Sequence, residues 1–171
     1  MEPENIIKGR IAETLIEELL KYTRNKVYRF GYESILQNLV QTDSRFDRAS
    51  ENGQQVSSIP DFVVLNSSGN SFFVEVKFRS DPEWLKAKLL KRIKKYWRAK
   101  VILVTITKPY FRIADPRRLQ RGSHVFQPLE TDHDLGVTRE ALQKFEPLVE
   151  RFLINGQGGH HEISAPGPSQ R

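Results

Sequence analysis

The sequence contains no cysteine, which rules out both a disulfide framework and a thiolate metal site. It has no apolar run near the length of a bilayer-spanning helix, so no membrane segment is expected. The opening Met1-Glu2-Pro3-Glu4-Asn5 is acidic and lacks an apolar secretory core, and a cytoplasmic protein is the expectation. There is no internal repeat, no glycine-rich phosphate loop and no ordered Ser-His-Asp arrangement. Acidic residues are missing from one stretch in particular. Between Lys86 and Lys100 stand eight basic residues (Lys86, Lys88, Lys91, Arg92, Lys94, Lys95, Arg98 and Lys100) and no Asp or Glu. The whole chain carries a net charge of +6, so everything outside that stretch is slightly acidic. Such a run reads as a nucleic-acid contact surface or, equally, as a lysine-rich solvated helix face.

With 171 residues the chain is long enough for one domain with a real core and too short for two. Residues 1–154 are expected to form that domain. The Gly, Pro, Ser and His content of residues 155–171 predicts a disordered tail.

From Asn5 to Lys21, Ile7, Ile11, Leu15 and Leu19 recur at four-residue steps, which predicts an amphipathic helix. Glu13 falls at one border of its apolar arc, Glu17 lies more toward solvent, and Glu18 falls at the opposite border. Val27 to Tyr32 reads as a strand, Ser34 to Gln41 as a short helix, and Asp43 to Ser58 as a polar loop. Asp61 to Leu65 and Ser71 to Phe78 read as strands joined through Asn66-Ser67-Ser68-Gly69-Asn70. Asp81-Pro82-Glu83 resembles a helix start, with the helix running to about Arg98 and burying Leu85, Leu89, Ile93 and Trp97. Val101 to Thr107 predicts a strand buried on both faces. Further strands are expected at Tyr110 to Ala114 and, at a sheet edge, His124 to Phe126. Thr138 predicts an N-cap for a last helix, interrupted or restarted at Pro147.

Chemistry concentrates at Asp61, Glu75 and Lys77. Alternation along a strand sends Glu75 and Lys77 to one face and Val74, Val76 and Phe78 to the other. A glutamate and a lysine inside Phe72-Phe73-Val74-Glu75-Val76-Lys77-Phe78 interrupt an apolar strand. Burying such charges costs several kcal/mol unless they are paired or bind an ion. Asp61 begins the preceding strand and can lie beside Glu75. Two carboxylates held close repel, and a hard cation such as Mg²⁺ relieves that repulsion. A neighbouring lysine can hold a water and offset charge on a phosphate. The bland alternative is an ion pair on a half-exposed sheet. Asp132-His133-Asp134 is set aside as a metal site, because three consecutive residues in regular structure cannot all face one ion.

Pro60-Asp61, followed after thirteen residues by Glu75-Val76-Lys77, is similar to the signature of the PD-(D/E)xK, restriction-endonuclease-like nucleases. Lys8-Gly9-Arg10-Ile11-Ala12-Glu13 resembles the opening helix of the archaeal Holliday-junction resolvase branch, in which a helix glutamate joins the metal site. The likeness spans roughly Ile6 to Thr107. The stretch from Glu33 to Ser58 is longer than the resolvase pattern. The resemblance implies an α/β fold with a restriction-endonuclease-like core, a mixed central sheet flanked by helices in the order α-β-β-β-α-β. It implies a Mg²⁺-dependent endonuclease acting on DNA, including structured or branched DNA, with Mn²⁺ able to substitute. Asp61, Glu75 and the Val76 backbone carbonyl would ligate the metal, Glu13 would complete the acidic cluster, and Lys77 would position water. Arg79, Lys88, Lys91, Arg92, Lys94, Lys95 and Arg98 would meet the nucleic-acid backbone. A homodimer is expected if two symmetric strands are cut. A non-catalytic nucleic-acid-binding module of the same fold, or an RNA nuclease, are the alternatives.

Overall fold

A computed structural model describes residues 2–30, 47, 49–56, 58–80, 95–116 and 126–157. Helix α1 runs from Pro3 to Tyr22, starting with Pro3 where the missing N–H costs nothing. Its buried residues Ala12, Leu15, Ile16, Leu19 and Leu20 fall at the spacing read from the sequence. Strand β1 is Lys26–Arg29, and the last two residues of the expected Val27 to Tyr32 strand lie outside the described residues. Helix α2 is Glu51–Val56, and strands β2 and β3 are Phe62–Leu65 and Ser71–Phe78. Strands β4, β5 and β6 are Lys100–Val104, Phe111–Ala114 and Gln127–Pro128. Helix α3 is Arg139–Val149.

Among the described residues, six strands form one sheet in the order β1-β2-β3-β4-β5-β6. Of these pairs only the central β3–β4 is parallel, so the fold is a mixed α/β sheet flanked by helices. Helix α1 packs against β3 and α3. The main core lies on that face: Phe62 and Val64 of β2, Val74 and Val76 of β3, Ile102 and Val104 of β4, and Phe111 and Ile113 of β5 meet the buried residues of α1 and α3. A smaller cluster of Ala99, Val101 and Ala114, with Phe73, Trp97 and Phe126 against it, covers the opposite face. Strand β4 is buried on both faces, as its unbroken apolar run requires.

Several expectations need correction. Asp43 to Ser58 is not all loop, because Ser50 Oγ accepts a hydrogen bond from Gly53 N and caps helix α2. A short edge strand is present at Gln127–Pro128 and Phe126 packs on the smaller core, while His124 and Val125 of the expected edge strand lie outside the described residues. Helix α3 starts at the Thr138 cap, whose side chain accepts from Ala141 N. It is not broken at Pro147; it continues to Val149 and passes into a π-turn at Glu150–Ile154. Asn155–Gln157 form a 3₁₀ turn, and the rest of the expected tail lies outside the described residues. So do the expected helix at Ser34 to Gln41 and most of the one from Asp81. Trp97 lies in a turn, where it packs edge-on against Phe30 and Phe73 and donates Nε1–H to the Gln55 carbonyl at 3.3 Å.

The largest surprise is Lys100. It ends the basic run in sequence, yet its side chain is only 1% exposed and cannot belong to a nucleic-acid surface. Its Nζ lies 3.1 Å from Asp115, 2.5 Å from Asp132 and 2.8 Å from Asp134, and 5.3 Å from the centre of the Phe72 ring. Asp132 and Asp134 thus do face one cation together, because they sit in a turn and not in a regular element. The turn is tied down further. Asn25 Nδ2 donates to the Leu135 carbonyl at 2.9 Å, and Asn66 Nδ2 donates to that of Asp134 at 2.9 Å.

Removing one member of a buried ion cluster leaves the others uncompensated, which typically costs about 3–5 kcal/mol. Lys100→Ala is expected to lose that much in urea unfolding at neutral pH. A loss below about 1 kcal/mol would show that the cluster does not hold the sheet.

Candidate active site at a notch in the sheet

The ladder between β2 and β3 stops at the pair Phe62↔Val74, while β3 continues to Phe78. Beyond Val74, β4 pairs with β3 through Glu75↔Val101, Val76↔Ile102 and Lys77↔Leu103. Among the described residues no strand covers the other side of β3 there, and Asp61 sits at its corner. The Asp61 backbone carbonyl accepts from Phe30 N at 2.8 Å, and its Oδ2 accepts from Val76 N at 2.7 Å. The carboxylate therefore takes the place of the next ladder bond. Asp61 and Glu75 stand at what would be the next paired positions of the β2–β3 register.

Glu75 is buried, with 9% exposure, although it lies in the middle of an apolar strand. Lys77 is half-buried, and its ammonium contacts Glu75 Oε1 directly. Burial pulls the Lys77 ammonium toward a lower pKa. The negative charges of Glu75, Asp61 and Glu13 outweigh that effect and hold it above its ordinary value. Glu13, half-buried on α1, therefore faces the same ammonium from the helix side of the notch. The structure brings together all four residues singled out from the sequence. Glu75 and Lys77 occupy the face carrying Val101 and Ala114, and Val74 and Val76 the α1 face, as strand alternation demands.

Three carboxylates around one ammonium leave two negative charges, which suits a divalent cation bound through oxygen. The residues able to hold it are Asp61, Glu75, Glu13 and the Val76 carbonyl. A second acidic group, Asp115, Asp132 and Asp134, places its carboxylate oxygens within 4.8 Å of one another. That spacing would also admit a metal ion, but the Lys100 ammonium already stands among those oxygens.

The expected nucleic-acid contacts divide. Arg79 follows β3 directly, donates its N–H to Val104 O at 3.0 Å and is half-buried; desolvation lowers its pKa. Lys95 is exposed and pairs with Glu51 at 2.9 Å, while Arg98 is exposed with φ of 50°. Lys88, Lys91, Arg92 and Lys94 lie outside the described residues. One cation on the working face escaped the sequence reading. Arg112 pairs with Leu103, which pairs with Lys77, so all three point to the same side. Its signal was the one that exposed Glu75: a lone charge inside an apolar strand, Phe111-Arg112-Ile113-Ala114.

No protein-family model matches this sequence, and no curated protein matches it either. Among solved structures, the chain is similar to Hjc of Archaeoglobus fulgidus, described as a Holliday junction resolvase from an archaeal hyperthermophile. The identity is 21%, over 78% of this chain and 97% of that one, with a TM-score of 0.41. A likeness at that level assigns no activity. No described helix is long and apolar enough to cross a membrane.

Two expectations test the notch. Asp61→Ala strands the Val76 N–H, an omission worth about 1–3 kcal/mol, whereas Asp61→Asn keeps an acceptor. Hydrogen exchange at Val76 should be slow in the parent and in Asp61→Asn, and fast in Asp61→Ala. Equal exchange in all three would remove the bond from the account. The second concerns Lys77, whose pKa is raised in the folded chain. Its stabilising contribution is therefore complete below the unfolded value near 10.5 and is lost as pH climbs through the higher folded value. The stability difference between the parent and Lys77→Met should stay level up to that point and shrink above it in alkaline urea titrations.

Proposed function

We propose that the chain is a divalent-metal-dependent nuclease that hydrolyses phosphodiester bonds in DNA, including structured or branched DNA. The observation that carries this reading is the meeting of Glu13, Asp61 and Glu75 around Lys77 at the open side of β3. Those residues come from α1, the start of β2 and the middle of β3. Nothing in the packing of a sheet requires three acids at that place.

Asp61, Glu75, the Val76 carbonyl and Glu13 would hold the ion, with Mg²⁺ as the natural occupant and Mn²⁺ able to substitute. The ion supplies the charge that polarises the phosphate and lowers the pKa of an attacking water. The residues of the chain do the rest. Lys77 orients that water and the phosphate oxygens by donating hydrogen bonds. The water oxygen attacks phosphorus and gives up a proton to solvent, the opposite P–O ester bond breaks, and the departing oxygen takes up a proton from solvent. Asp61 keeps Oδ2 on Val76 N, which fixes the angle of its carboxylate toward the ion. Arg79, Arg98, Lys95 and the basic residues Lys88, Lys91, Arg92 and Lys94 meet the phosphate backbone, so binding should weaken steeply with salt. A homodimer would present two such sites to two strands.

The test is cleavage of linear duplex, single-stranded and four-way-junction DNA, with RNA alongside, in Mg²⁺. Lys77→Met is expected to cut about 10²–10⁴-fold more slowly, and Asp61→Asn at least as slowly. Chelation should abolish cutting. Variants that cut as well as the parent would end the site assignment. A parent that binds DNA but never cuts it would leave only a binding module.

A further inference from the structure

We propose that Arg112 binds a backbone phosphate next to the scissile one, extending the site across β4 onto β5. The inference rests on the nuclease reading for the identity of its ligand, and on separate observations for the residue itself.

Arg112 occupies the face of Glu75 and Lys77, two strands from Lys77 through the row Lys77–Leu103–Arg112. Adjacent strands lie about 4.8 Å apart, which puts the two backbones about 10 Å from each other. Between them stands Leu103, which is buried and apolar. The Arg112 side chain leans toward the turn between β4 and β5, where Nη2 donates to the Lys108 carbonyl at 3.4 Å. Its Nε is buried and meets no hydrogen-bond partner, and among the described residues no carboxylate pairs with the guanidinium.

The residue is half-exposed and its Nη2 bond to Lys108 lies at the surface, so Nε is enclosed while the outer edge of the fork faces solvent. An oxyanion that accepts from that planar fork of donors fits such an edge, and a phosphodiester supplies one. Lys77, Arg112 and Arg79 all lie at the end of the sheet where β3 and β4 finish. Cations in that arrangement suit an anion that repeats along a strand better than a single carboxylate ligand.

The test uses the full chain with Ca²⁺ in place of Mg²⁺, and a fluorescently labelled duplex and four-way junction as probes. Affinity is read by anisotropy between about 50 and 200 mM salt. Arg112→Ala should bind about tenfold more weakly at the low end, and its log-affinity against log-salt slope should fall by about one. Arg112→Lys should keep the slope while losing part of the affinity, since it retains the charge and lacks the fork. A merely structural arginine would move affinity without changing the slope. Should Arg112→Ala fail to fold, Arg112→Gln is read in the same way. An unchanged slope in the uncharged variant overturns the proposal. Cleavage in Mg²⁺ is measured in parallel. A parent that cuts while the slope ignores Arg112 removes this inference alone; a parent that never cuts while the slope depends on Arg112 removes the nuclease reading alone.

Discussion

The arrangement depends first on Lys100. A lysine with 1% of its side chain exposed can exist in a folded protein only if its charge is answered, and here Asp115, Asp132 and Asp134 answer it. Each belongs to a different part of the chain from β4: Asp115 follows β5, and the other two lie in the turn before α3. Meeting their common partner fixes β5 and that turn against the start of β4. Val74↔Lys100 is also the first pair of the parallel β3–β4 ladder. The residue after Val74 is Glu75. The ion cluster thus sets the height at which the candidate site stands in the sheet, from the opposite face.

The second constraint is an ending. Strand β2 could have continued pairing past Phe62, and the site would then have been closed by backbone. Asp61 ends the ladder by accepting the Val76 N–H with its side chain. That one substitution of a carboxylate for a carbonyl satisfies the Val76 donor of β3 and sets Asp61 beside Glu75 and within the field of Lys77. Local satisfaction and membership of the acidic cluster come from the same residue.

Much of this was legible from residue order alone. The alternation of Phe72 to Phe78 marked Glu75 and Lys77 as charges on one face, and the spacing in α1 put Glu13 at a border where it could reach them. Strands β2 to β5 and the Thr138 cap followed from pattern and turn chemistry. What was not legible required knowledge of distant partners. Lys100 reads as the last lysine of a basic run, because nothing local announces that three aspartates 15 to 34 residues onward will enclose it. Ser50 was missed because a six-residue helix carries too little periodicity to stand out from polar loop. Arg112 carried the right signal, a charge within an apolar strand, but its relation to Lys77 exists only through the pairing of both strands with β4.

Among the described residues stand two clusters of the same inventory, one lysine with three carboxylates, on opposite faces of one sheet. Around Lys100 the Nζ has contacts of 3.1 Å or less to three different aspartates, and both the lysine and two of those acids are almost wholly enclosed. Its charges are spent on each other, and an entering ion would have to displace an ammonium from the protein interior. Around Lys77 direct contact is made with Glu75, while Asp61 and Glu13 act through space, and 27% of the lysine side chain remains exposed. The same composition is therefore closed in one place and open in the other. Low dielectric strengthens both sets of interactions, but around Lys100 all three aspartates contact the ammonium directly, whereas around Lys77 only Glu75 does. That difference in how the acids meet the ammonium, and not their number, distinguishes the two clusters.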